Sequence, residues 1–182
     1  MADSQLGLAA AYDFDLIVQQ YRPRVFRFIL SSLRDEDAAE TLTQDCFVKA
    51  HRALKTFRGD CSIETWLLKV AVNLVRDYAR NRRLQFWKRS QNNFKSLDDL
   101  EYRLADGRQS AETGVVLDEQ IKAVWRAAEK LPERQRTVFL LRFVEDMDLL
   151  EIASATGLKE GTVKAHLFRA LQSVRAELGI AE

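Results

Sequence analysis

The stretch "KVAVNLVRDYARNRR" sets Lys69, Asn73, Arg76 and Arg80 at intervals of four, three and four. On a helix those intervals bring side chains onto one face. Three cations and one carboxamide in a row suit a run of phosphates, with the amide available to a base edge. Arg82 and Arg83 follow, and between Arg76 and Arg89 six basic side chains stand against Asp77 alone. The same periodicity fits an ordinary solvated face, so the stripe by itself leaves both readings open. Ahead of it, "FRGDCS" is a Gly-bearing loop feeding a helix that Asp60 or Ser62 can cap.

A second pattern lies in "EIASATGLKEGTVKAHLFRAL". Ala153 lets two helices approach closely, Gly157 tolerates the positive φ of a tight turn, and Val163 can point back into the angle between the helices. These are the requirements of a helix-turn-helix. With Val163 inward, an advance of about 100° per residue turns Thr162, Ala165, Phe168, Arg169 and Gln172 outward. Lys164 and His166 then sit at the flanks. Phe168 outward suits thymine methyls, and Lys164 and Arg169 suit phosphates or guanine edges. Packing of Phe168 on a neighbouring helix, and plain solvation of each charge, are the alternatives.

These patterns need helices to carry them. Tyr21, Val25, Phe28, Ile29 and Ser32 share a face, with Pro23 suited to a first turn. Ala39, Leu42, Cys46, Phe47, Ala50 and Leu54 form another stripe, and Leu67, Val70, Ala71, Leu74, Val75 and Tyr78 a third. Leu84, Phe86 and Trp87 are expected to lie back on this block. From Lys88 to Gly114 the chain turns polar, broken only by Leu97, Leu100 and Leu104, and reads as a linker with at most one weak helix. Periodicity resumes at Leu117, Ile121, Val124, Trp125 and Ala128, and "LPERQR" places Pro132 at a first helical position. The expected fold is all-α: two small helical domains, 12–88 and 117–180, joined by a polar linker over 89–116.

Composition narrows the function. Seven glycines and two prolines in 182 residues favour long regular elements. A net charge of +1 is not that of a protein that coats DNA unaided. Cys46 and Cys61, with His51 and His166, lack metal-ligand spacing, so no metal or other cofactor is expected. No apolar run is long enough to span a bilayer, and the first residues are too acidic for a signal peptide, so a cytoplasmic chain without membrane contact is expected. No carboxylate pair, nucleophile triad or phosphate-cradling loop is present, which argues against an enzyme.

"YRPRVFRFI", "DAAETLTQDCFVKAHRALKTFRGDCSIETWLLKVAVNLVRDYARNRR" and "LPERQRTVFLLRFVEDMDLLEIASATGLKEGTVKAHLFRAL", in that order, resemble a bacterial extracytoplasmic function (ECF) σ factor of the σ70 family. The resemblance runs from about Tyr12 to Leu178. It implies a σ2-like first block and a σ4-like second block. Gln44, Asp45 and Lys49 would grip the β′ clamp of core RNA polymerase, and the second block would meet the β flap. Phe57, Arg58, Gly59, Asp60 and Ser62, with Lys69, Asn73, Arg76, Arg80 and Arg83, would hold the opened −10 element. Thr162, Lys164, Ala165, His166, Phe168 and Arg169 would read the −35 duplex. An anti-σ partner is also implied. The chain departs from the family pattern at Ala165 and His166, where relatives carry Ser-Arg, and in "DMDLLEIASAT".

Overall fold

The computed structural model describes the backbone of residues 13–92 and 115–180, and the side chains of 13–82 and 119–180. Seven α-helices occupy the described residues: α1 (Phe14–Leu33), α2 (Glu36–Ala53), α3 (Ile63–Asn92), α4 (Val115–Glu129), α5 (Glu133–Phe143), α6 (Leu149–Thr156) and α7 (Glu160–Glu177). A short 3-10 turn, Leu54–Thr56, leaves α2.

The first helix begins well before Pro23. Asp13 caps it, its side chain accepting from the Asp15 N–H at 3.0 Å. Pro23 therefore sits mid-helix, not in a first turn. It is exposed, so the hydrogen bond it cannot donate is lost on the solvent side, while Ile17, Val25, Phe28 and Ile29 stay buried across it. Arg34 closes α1 in the left-handed region, φ 56°, and Asp35 at once caps α2. Pro132 likewise precedes its helix as the N-cap position of α5 instead of opening it. At the linker's edges, α3 continues to Asn92 and α4 starts at Val115, so both helices reach into the stretch expected to be irregular. The side chains of Arg83, Leu84, Phe86, Trp87 and Leu117, and the whole of Tyr12, Leu97, Leu100 and Leu104, lie outside the described residues.

Helices α1, α2 and α3 bury Phe28, Ile29, Ala39, Cys46, Ala50, Leu67, Ala71 and Val75 against one another. That apolar cluster does not stop at the end of the first block. It continues into Val138, Leu140, Leu141, Met147, Ile152, Ala155 and Val163 of α5 to α7. Helix α3 lies against α6, and α1 against α5. A smaller cluster, Ala127, Ala128, Leu131, Phe139, Ala170 and Val174, ties α4 to α5 and α7.

Gly157 ends α6 with φ 70°, its N–H donating to Ala153 O at 2.9 Å. A Cβ built there meets nothing within 4 Å, so its φ alone demands glycine. Gly157→Ala should therefore lower stability by about 1–2 kcal/mol, the cost of a left-handed alanine. Urea titration should show a lower midpoint with an unchanged slope.

Candidate nucleic-acid interface

Ser62 opens α3: its hydroxyl accepts from the Thr65 N–H at 3.0 Å, and its carbonyl accepts from Trp66 N at 3.0 Å. Of the two capping candidates, Ser62 is the one used. Gly59 turns the preceding loop at φ 75°. Phe57 folds back onto Trp66, with ring centroids 5.1 Å apart, which pins the start of the loop to the first turn of the helix. Arg58, Gly59 and Asp60 are left exposed between these two anchors. Lys69 lies close enough to this loop to act on Cys61. Burial raises the Cys61 thiol pKa above its ordinary value; Lys69 opposes the shift, and Asp60 and Glu151 add to it.

Along α3 the stripe is present but not uniform. Lys69 and Arg76 are exposed and Asn73 is half-buried. Arg76 Nη2 donates to Asn73 Oδ1 at 2.8 Å, so the amide keeps its N–H groups for an outside acceptor. Arg80 pairs with Asp77 at 3.3 Å, and Arg82 lies over the Tyr78 ring at 5.8 Å. Arg76, Arg80 and Arg82 are thus all held along the helix, and Lys69 is the cation of the stripe nearest the loop. Arg83 is on α3, with its side chain outside the described residues.

In the second block Val163 is fully buried and fixes the rotation of α7. Thr162, Lys164, Ala165, Phe168, Arg169 and Gln172 are exposed. Phe168 is 61% exposed, so packing against a neighbouring helix does not hold it. His166 is half-buried, with no hydrogen-bond partner for Nδ1. Burial first, then Arg169 and Arg134, lowers its pKa below the ordinary value. The imidazole therefore stays neutral at neutral pH.

On α2, Gln44, Asp45 and Lys49 are exposed on one face around Val48, itself 48% exposed. Gln44 donates to Glu40 Oε1 at 3.2 Å. Cys46 faces the other way. Its thiol donates to Leu67 O at 3.7 Å, and burial, partly offset by Lys49, pushes its pKa up to about 12. Residue spacing pointed to none of Trp66, Thr65 or Arg134. Trp66 and Arg134 each sit in the first turn of a helix, beside groups that only the fold brings near.

Comparison with known proteins decides the family. Residues 17–85 match the family model "Sigma-70 region 2" and residues 121–174 match "Sigma-70, region 4". RNA polymerase sigma-H factor of Pseudomonas aeruginosa is 31% identical over 165 residues, covering 88% of this chain and 83% of the relative. The chain is an ECF σ factor of the σ70 family. ECF RNA polymerase sigma-E factor of Escherichia coli K12 is also 31% identical, over 164 residues, covering 88% of this chain and 84% of the relative. Two solved structures share the fold. They are the σ factor RpoE with the anti-σ factor NepR from Bartonella quintana (TM-score 0.69, 20% identity, covering 93% of this chain and 99% of that one) and CnrH with the cytosolic domain of CnrY (TM-score 0.65, 20% identity, 100% and 98%). The σ factor is accordingly no enzyme; it gives RNA polymerase its promoter specificity at initiation.

Because Phe168 holds no core contact, Phe168→Ala should leave stability within about 0.5 kcal/mol of the parent. Thermal unfolding followed by circular dichroism checks this, and a larger loss would mean the ring packs inside.

Proposed function

We propose that this σ factor works as two promoter-reading units on core RNA polymerase in the cytoplasm, with no membrane contact of its own. Residues 12–88 take the opened −10 element and residues 117–180 the −35 duplex, with 89–116 between them. The observation that carries this reading is the pair of exposed, anchored surfaces in one chain. One is a loop and cation stripe held by Ser62 and Trp66; the other is a helix face turned outward by Val163. The first suits separated strands because its amide and loop offer hydrogen bonds to unpaired bases. The second suits a major groove, which admits one helix.

The energetics favour work on polymerase over work alone. Opening duplex costs about 1.4 kcal/mol per base step. Each captured base returns about 1–3 kcal/mol. A loop that holds one or two bases roughly balances part of the bubble, and the core enzyme supplies the rest. Gln44, Asp45 and Lys49, flanking exposed Val48, would meet the β′ clamp. An apolar groove of ≈ 440 Å³ lined by Ile121, Val124, Trp125, Phe139, Phe143 and Leu171 suits a β-flap helix. One structure of the same fold, from Bartonella quintana, holds an anti-σ factor, which supports an anti-σ partner here. Among the described residues no helix is long and apolar enough to cross a membrane.

Run-off transcription with purified core enzyme tests the reading: promoter-specific transcripts should require both core and this chain. Tight duplex binding by the chain alone, with no transcripts, would point instead to a free-standing regulator. Asn73→Ala should reduce open complexes about tenfold, the loss of roughly 1.4 kcal/mol, with core affinity unchanged. Permanganate reactivity of unpaired thymines reads the first quantity and fluorescence anisotropy the second.

The −35 contact should also depend on pH. The free chain holds the His166 pKa below 6.5, its ordinary value, and a nearby phosphate raises it in the complex. Binding then takes up a proton, so affinity for a −35 duplex should rise as pH falls below about 6.5. His166→Ala should flatten that rise in a binding titration across pH.

A further inference from the structure

The segment from Glu145 to Glu151 makes several of the polar contacts between the two halves of the σ factor, beside the Arg34–Glu129 pair and the bond from Arg136 to Ser32 O. The Glu145 side chain is fully buried, yet its partners come from the other half. Arg24 Nε donates to Glu145 Oε2 at 2.7 Å, and Arg24 also donates to the Glu145 carbonyl. Arg27 Nη2 reaches the same carboxylate oxygen at 3.4 Å. The remaining side of the Arg24 guanidinium pairs with Glu64, in the first turn of α3. Six residues on from Glu145, Glu151 ties two helix starts together. Its Oε2 accepts from the Asp148 N–H at 2.9 Å, completing a capping box for α6, and its Oε1 accepts from Thr65 Oγ1 at 3.3 Å. Between them Met147 is buried in the shared core.

This contact lies directly beside the surface assigned above to the −10 strand. Thr65, Leu68 and Val72, on the α3 flank next to Lys69, Asn73 and Arg76, are buried. Arg76 shares a crevice with Val72, Glu133, Arg134, Thr137 and Thr156, and its volume is only ≈ 80 Å³. Sites that enclose even a small organic ligand run to about 300 Å³ or more. Reach gives the same answer. A compact chain of this length has a radius of gyration of about 16 Å and is roughly 40 Å across. About 25 base steps separate positions −35 and −10, or about 85 Å of duplex at about 3.4 Å per step.

We infer that the Arg24–Glu145–Arg27 contact is a latch that holds the free σ factor closed. The two halves must part at this contact before the chain can engage both promoter elements. The latch is built to release. Opening returns the Glu145 carboxylate to water, and its Oε1 has no partner in the closed form. The closed state lowers apparent affinity for core enzyme by the fraction of chains that are open. The promoter part of this inference rests on the function proposed above; the latch itself does not.

Small-angle X-ray scattering from the full chain, paired with core-binding titrations, tests it. The parent should give a compact radius. Arg24→Ala and Glu145→Gln should each raise it by a quarter or more, and Arg24→Ala should tighten core binding about tenfold. Circular dichroism confirms that the helices survive, and Glu145→Gln keeps the side-chain shape should Arg24→Ala perturb α1. A radius unchanged in both folded variants overturns the latch, as does a parent already as extended as they are. Larger radii with no core binding by any of the three chains support the latch and overturn the σ reading.

Discussion

A carboxylate without water sets the docking of this fold. Removing such a charge from solvent costs several kcal/mol even after relaxation, and only well-placed partners repay it. Glu145 finds them in Arg24 and Arg27, more than a hundred residues earlier in the chain. The arrangement of the two halves follows from that need. Where α5 ends, the chain must bring Glu145 against α1, which sets α6 along α3 and buries Met147 and Ile152 in a core begun by Phe28 and Leu67. Apolar surface is shared between the halves, and the paired charges hold them in this one docking.

Charge is used sparingly elsewhere too. The chain is nearly neutral because 28 basic side chains stand against 27 acidic ones, and some of them pair: Arg22 with Glu40, Arg34 with Glu129, Lys130 with Glu177, Lys164 with Glu160. Of these, the exposed Lys130–Glu177 and Lys164–Glu160 pairs add little stability, whereas Arg34–Glu129 is half-buried between the two halves. Their effect is to lower the indiscriminate pull toward nucleic acid.

The helix-turn-helix was legible because it rests on local rules. Ala153, Gly157 and Val163 are set by spacing, and their burial and φ values agree with it. The outward turn of Thr162, Ala165, Phe168 and Arg169 follows from Val163 by helical geometry alone. The α3 stripe was legible in the same way, but its division into held and available cations was not, since Arg80 depends on the rotamer it adopts toward Asp77. The start of α1 was missed because Pro23 signals a first turn, and only the cap at Asp13 shows that the helix was already running. The contact at Glu145 carried no signal at all. A lone glutamate between helices has no period, and its partners lie 121 and 118 residues away.

The two sulfurs carry a last consequence. Only a thiolate attacks a peroxide or a disulfide at useful speed. Burial raises the Cys46 pKa to about 12 and raises that of Cys61 as well. Both thiols are therefore held toward the protonated, less reactive form, Cys46 the more firmly of the two.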